Sequence, residues 1–172
     1  MPGLIHLYCG DGKGKTTAAL GLALRAAGAG KQVVFTQFFK DGSSSEMEPL
    51  AALPGVRVFH ADTVRGFYRN MTRPQREQAG KDYTALFRQV TQAAREADLL
   101  ILDEIVSACN RGVVPEKLVT DFLREKPARL EVVLTGRNPS AALLELADYI
   151  TEMRKLRHPF DRGIGARKGI EF

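Results

Sequence analysis

The sequence predicts an α/β fold: a doubly wound, mostly parallel sheet with helices on both faces. Three observations predict it. Short apolar runs alternate with helix-like segments from Leu4 to Met153 of the 172 residues, apart from Ala61 to Met71. The runs are continuously apolar rather than alternating, as strands covered on both faces are. No repeat, low-complexity tract or linker interrupts the pattern, so residues 1–172 read as a single domain.

Leu4 to Cys9 is the first strand. Lys15 to Ala29 is rich in Ala and Leu and stops at Gly28 and Gly30, so it reads as a helix. Gln32 to Phe38 is the second strand, with Val33, Val34 and Phe35 at its centre. A polar loop, Lys40 to Ser45, leads to a weak helix, Glu46 to Leu53, closed by Pro54-Gly55. Val56 to His60 is a third strand, and Ala61 to Met71 has no clear period. Thr72 is placed to cap a long helix reaching Glu96, with Pro74 in its first turn and Gly80 a weak spot. Asp98 to Asp103 is the fourth strand and Pro115 to Arg124 a helix. Leu130 to Thr135 is the fifth strand, Ser140 to Ala147 a helix, and Tyr149 to Met153 a sixth strand. Ligands of such sheets bind beyond the carboxyl ends of the strands. The loops after Cys9, Phe38, His60, Asp103 and Thr135 should therefore surround one site.

Composition narrows the partners. Apolar residues make up 44% and charged residues 26%, close to globular averages. No apolar run reaches the ~18 residues of a membrane span, and the N-terminus has no basic region followed by an apolar stretch. Cys9 and Cys109 lack metal-ligand spacing and read as reduced thiols of a cytoplasmic protein. The net charge of +5 suits an anionic ligand and is too small to argue for nucleic acid.

The strongest motif is Gly10-Asp11-Gly12-Lys13-Gly14-Lys15-Thr16-Thr17, set between a strand and a helix as a P-loop requires. Glycines let backbone N–H groups turn inward onto phosphate oxygens. The helix from Lys15 aims its positive end at the same anion. Lys15 adds a point charge, and the Thr16 hydroxyl is a ligand for Mg²⁺. The loop is one residue short of the usual spacing, with Cys9 where the first Gly belongs. Asp11 is out of place beside phosphates unless it points away.

Leu99-Leu100-Ile101-Leu102-Asp103-Glu104 is an apolar strand ending in two acids, the Walker B position. One acid holds Mg²⁺ and the other orients a nucleophile; spacing alone leaves the choice between Asp103 and Glu104 open. Thr135-Gly136-Arg137 ends the fifth strand, and Arg137 is either a phosphate clamp or a surface Arg after a turn. Arg25 reads as an ordinary helix charge. Phe67 and Tyr68 either line a flat apolar ligand or pack under a loop. The tail carries Lys155, Arg157, His158, Arg162, Arg167 and Lys168, with Phe160 and Ile170 pointing to ordered loops near the anion. His6, His60 and His158 have no metal-ligand spacing and read as structural.

The sequence resembles the P-loop-type ATP:corrinoid adenosyltransferases along nearly its whole length. The matching residues begin with Gly10 to Thr17 and continue through Thr17-Ala18-Ala19-Leu20-Gly21 and Arg25-Ala26-Ala27-Gly28. They return at Gln37-Phe38 with Lys40, Leu102-Asp103-Glu104, Thr135-Gly136-Arg137, Leu146-Ala147-Asp148 and Thr151-Glu152-Met153. The tail adds His158-Pro159-Phe160-Asp161, Gly163-Ile164 and Lys168-Gly169-Ile170-Glu171. The resemblance implies a fold related to the RecA-like P-loop NTPases, a homodimer, and adenosyl transfer from ATP to a corrinoid, with triphosphate leaving. It implies that ATP lies reversed in the loop, that Gly12 to Thr17 cradle the triphosphate, and that Lys15, Thr16 and Arg137 contact it. Thr16 and Glu104 would hold Mg²⁺ (or Mn²⁺), which settles the open choice toward Glu104.

Phe67 follows Gly66 where the family places a Phe that expels the lower axial ligand of the corrinoid and eases reduction of Co(II). The reductant would be a flavodoxin or another flavoprotein. Departures from the family pattern are Arg69 in place of a Trp, with Tyr68 a neighbouring substitute, Asp11 for Asn, Asn138 for Gly and Arg162 for Ala. The sequence also begins without the N-terminal extension that some members fold over the corrinoid. A P-loop enzyme that hydrolyses ATP or transfers phosphoryl groups, with Glu104 orienting water, is the competing expectation. A nucleotide-binding regulatory or nucleic-acid module is a third, disfavoured by the absence of a basic, aromatic-interleaved stripe.

Overall fold

A computed structural model describes residues 2–40, 44–61, 68 and 71–171. Six strands form one sheet: β1 (Ile5–Cys9), β2 (Val33–Gln37), β3 (Val56–Phe59), β4 (Leu99–Asp103), β5 (Glu131–Thr135) and β6 (Tyr149–Glu152). Their spatial order is β3-β2-β4-β5-β1-β6, and every pairing is parallel. The helices are α1 (Lys15–Gly28), α2 (Met47–Ala51), α3 (Arg73–Ala93), α4 (Ile105–Asn110), α5 (Glu116–Glu125) and α6 (Ala141–Leu146).

The continuous apolar runs are explained by two cores, one on each face. In β4, Leu99 and Ile101 meet α1 and α2, while Leu100 and Leu102 face α3, α4 and α5. Strand alternation sends successive side chains to opposite cores, so a strand covered on both sides has no polar position to spare. The buried stripe of α1 is Ala19, Ala23 and Ala26, and that of α3 is Ala79, Tyr83, Leu86, Phe87 and Val90. Both follow the helical period. At the start of α3 the Thr72 N–H donates to Gln75 Oε1 at 2.8 Å, half of a capping box, and Pro74 sits in the first turn. A short 3₁₀ turn, Ala94–Glu96, ends it.

Two elements differ from expectation. α4 follows Glu104 directly in a segment that carried no helix signal. β6 pairs with β1 along its length, yet all four of its residues are exposed. The tail beyond it contains one 3₁₀ turn, Pro159–Arg162. Among the described residues no helix is long and apolar enough to cross a membrane.

Candidate active site

The site lies where the strand order places it. β5 stands between the P-loop strand β1 and the carboxylate strand β4, so three carboxyl ends open side by side. The Gly14 backbone is left-handed at φ 113 as the chain enters α1. Lys15 is only 7% exposed, and its Nζ donates to the Gly12 carbonyl at 2.7 Å. Burial and the nearby Arg137 both push its pKa down, against the pull of Glu104, Asp103 and Asp11. A buried Lys15 with Arg137 close enough to oppose its charge, beside a glycine loop, forms a cradle suited to a polyanion.

Asp103 is fully buried and is the hub of the polar network. It accepts from Thr16 Oγ1 at 3.0 and 3.1 Å, Thr135 Oγ1 at 2.6 Å and Gln37 Nε2 at 3.0 Å. Burial raises its pKa, and these three donors pull it back. The Gln37 amide also donates to Glu46 Oε1 at 3.2 Å, and Lys40 Nζ stands 3.7 Å from the same oxygen. Thr135 serves twice, since its oxygen also accepts from the Glu104 N–H at 2.9 Å. Glu104 is left-handed at φ 62, a strained state for a residue with a Cβ, and its carboxylate accepts from Ser107 Oγ. Thr16, Asp103 and Glu104 offer only oxygen donors, which suits a hard divalent cation. Among the described residues no cluster of three or more His, Cys, Asp or Glu could hold a metal by itself. A cation here fits as Mg²⁺ commonly does, on a hydroxyl, a carboxylate and substrate oxygens.

The short loop has a structural counterpart. The Gly12 N–H donates to the Met153 carbonyl at 2.6 Å, and the Lys155 N–H donates to Asp11 Oδ1 at 2.9 Å. Asp11 thus points at the chain leaving β6 rather than at the loop's interior. The Lys155 N–H holds its carboxyl below the usual range. A Cβ on Gly12 would lie 2.5 Å from the Met153 oxygen, and one on Gly10 2.6 Å from it. Here the glycines admit a neighbouring backbone as well as a ligand.

Gly136, at φ 147, lets the end of β5 pass α4; a Cβ there would sit 2.6 Å from Val106 Cβ. Asn138 is left-handed at φ 52, a conformation Asn and Gly share, which accounts for the departure at that position. The tail returns to the loop, and Gly169, Ile170 and Glu171 with Thr16, Thr17, Leu20, Lys40, Ser45 and Glu46 enclose about 340 Å³.

The structure therefore brings together Gly10 to Thr17, Asp103, Glu104 and Arg137. Lys13 lies beside the tail, lining a cavity with Phe160, Arg167 and Glu171. Tyr68 is partly buried against Phe39 on the α3 side. Phe67 and Arg69 lie outside the described residues. His6 pairs with Glu131, and His158 Nδ1 accepts from the Phe160 N–H at 3.2 Å, both structural roles. Gln37 and Thr135 were not singled out as site side chains by sequence. Their signal is a polar residue at the last position of a strand, directly after a buried run.

Known proteins bear out both the fold and the family. Among solved structures, a KaiC-like protein, PH0186 of Pyrococcus horikoshii OT3, superposes with a TM-score of 0.52 over 89% of this chain and 72% of its own. At 16% identity that likeness speaks for the RecA-type P-loop fold alone. A corrinoid adenosyltransferase of Escherichia coli (strain K12) is 35% identical over 180 residues, covering 99% of this chain and 86% of its own. One of Pseudomonas aeruginosa is 33% identical over 172 residues, covering 99% and 84%. The family model for ATP:corrinoid adenosyltransferase BtuR/CobO/CobP matches residues 1–172, and the chain belongs to that family.

Proposed function

We propose that the protein transfers the 5′-deoxyadenosyl group of ATP to the Co(I) centre of a corrinoid and releases triphosphate. The observation that carries this reading is the convergence of buried Lys15 with Arg137 beside the glycine loop, next to Thr16 and Glu104. Co(I) gives its electron pair to ribose C5′, a Co–C bond forms, and the C5′–O bond breaks with its pair leaving on the triphosphate. Co(I) is already a strong nucleophile, so no general base is needed. The protein's work is to position C5′ against cobalt and to stabilise the departing charge. Gly12 to Thr17 supply backbone donors, and Lys15 leaves the Gly12 carbonyl to meet the triphosphate with Arg137. Thr16 and Glu104 would hold Mg²⁺ (or Mn²⁺), which would supply neutralisation of the departing charge. Asp103, held by Gln37 and Thr135, orients the Thr16 hydroxyl.

Phe67 and Tyr68 face the corrinoid, where Phe67 displaces the lower axial ligand so that a flavodoxin or other flavoprotein can reduce Co(II). The working form is a homodimer. A product assay tests the chemistry: adenosylated corrinoid with triphosphate is expected, and ADP with phosphate would establish the hydrolytic alternative. Lys15→Ala should lower the transfer rate by a factor on the order of 10²–10³, as loss of one charge-stabilising donor does. Its melting temperature should stay near wild type, because the substitution also removes a buried charge. A folded variant with wild-type rates would refute the phosphate role.

A further inference from the structure

The ligand-side rim carries another cluster, beside α3 and α4 rather than over the phosphate loop. Phe39, two residues past β2, is left-handed at φ 61. That state strains a residue with a Cβ and concentrates at functional positions. Its ring meets Tyr68 at 5.4 Å and buried Tyr83 at 5.3 Å between centroids. Arg111, the first residue after α4, lies over both outer rings, 4.7 Å from the Phe39 centroid and 5.8 Å from that of Tyr68. Arg76 of α3 lies 5.5 Å from the Tyr68 centroid.

Arg111 is exposed and forms no ion pair with a carboxylate among the described residues. A guanidinium seated over aromatic faces keeps its fork of N–H donors at the edge, the geometry that grips carboxylate or phosphate. The neighbouring residue ties this group to the site. Asn110 Nδ2 donates to the carbonyls of Arg137 and Asn138 at 2.9 and 3.0 Å, so one short helix connects Glu104, the Arg137 loop and Arg111.

We propose that Arg111, seated on the Phe39–Tyr68 pair, is a specificity-determining residue that binds an oxyanion on the periphery of the corrinoid, a carboxylate or a phosphodiester. The inference rests on the corrinoid reading above and adds a substrate preference to it. The test is steady-state kinetics of the full-length protein with three prereduced corrinoids. Cobalamin carries a phosphodiester, cobyrinic acid carries carboxylates, and cobinamide carries neither. Wild-type kcat/KM should favour at least one oxyanion-bearing corrinoid over cobinamide by about tenfold or more, through KM. That preference should shrink as salt is raised, and Arg111→Ala should remove most of it. The corrinoid that loses its advantage identifies the oxyanion.

Absence of discrimination by the wild type overturns the proposal and leaves the corrinoid activity standing. So does a preference indifferent to both salt and Arg111→Ala. Failure of the wild type to turn over any corrinoid removes both readings. The salt series uses only wild-type protein, so a salt-independent preference overturns the proposal even if the variant does not fold.

Discussion

Asp11 shows how a single side chain can mislead and then inform. A carboxylate inside a phosphate loop raises the cost of binding an anion, and Lys15 does feel its charge. The compensation is mechanical: Oδ1 accepts the Lys155 N–H and pins the chain leaving β6 against the loop. Asp11→Ala should therefore raise the KM for ATP severalfold, since the loop loses its brace. Asp11→Asn should stay near wild type or bind ATP more tightly, because the amide oxygen still accepts and the charge is gone. Equal KM values for all three proteins would refute the bracing role. The lowered pKa sets the sign with pH: the brace is complete above the ordinary carboxyl range of ~3.9. The part of the brace that comes from the carboxylate's charge is lost as pH falls through the depressed value. From sequence the oddity of Asp11 was legible but its answer was not, because the partner lies 144 residues away. Lys15, Thr16 and the two acids at the end of β4 could be picked out as a group from local spacing, though spacing did not divide the work between Asp103 and Glu104. Gln37 and Thr135 were harder to read, since they act on Asp103 across the sheet and not through any motif of their own.

Elements with one strong physical signature could be read directly. β2 and β4 are fully buried and consist only of β-branched, aromatic or Leu residues until their last positions, and α3 repeats its apolar stripe over 21 residues. α4 escaped notice for the opposite reasons. It has six residues, two of them β-branched, and no side-chain cap, and it begins at a left-handed Glu104. Its stability comes from packing, with Ile105, Val106 and Ala108 fully buried and Gly136 giving it room. β6 was recognisable, but its exposure was not, since that depends on which neighbours the sheet edge has. Between these elements the joint is narrow. The Gly12 N–H to Met153 bond, the Met153 N–H to Cys9 carbonyl bond at 2.8 Å and the Asp11 brace all join the phosphate loop to the end of β6. Gly12→Ala would force its Cβ against the Met153 oxygen and should separate them, at a cost of about 1–3 kcal/mol. Hydrogen exchange at Met153 and Lys155 should quicken in this variant while β4 amides stay protected. Unchanged exchange at both residues would show that the joint carries no strain.

At the scale of the whole molecule, two groups on opposite ends of the titration range each make stability depend on pH. Glu171 in the tail is held at about 2 by the side-chain and backbone hydrogen bonds of Arg167, with Lys13 of the phosphate loop adding a smaller pull. Its contribution is present above the ordinary Glu value and lost as pH falls toward 2. Cys109 in α4 is pushed up to about 12, by burial first and by Glu116 second. The folded state keeps this thiol neutral while the unfolded chain ionises it from about pH 8.5 upward. The unfolded state therefore sheds its proton first, and the stabilisation present below that pH drains away as pH rises to about 12. Cys109→Ala should change the melting temperature little at pH 7. The same variant should lose less stability than wild type between pH 9 and 11, because one ionisation that favours unfolding has gone. Parallel melting curves for the two proteins across that interval would show that the Cys109 thiol is not shielded. The consequence reaches the site, because α4 is the element that ties Glu104 to the Arg137 loop and carries Arg111 at its end. Alkaline loosening of α4 should therefore disturb corrinoid KM before the parallel sheet itself melts.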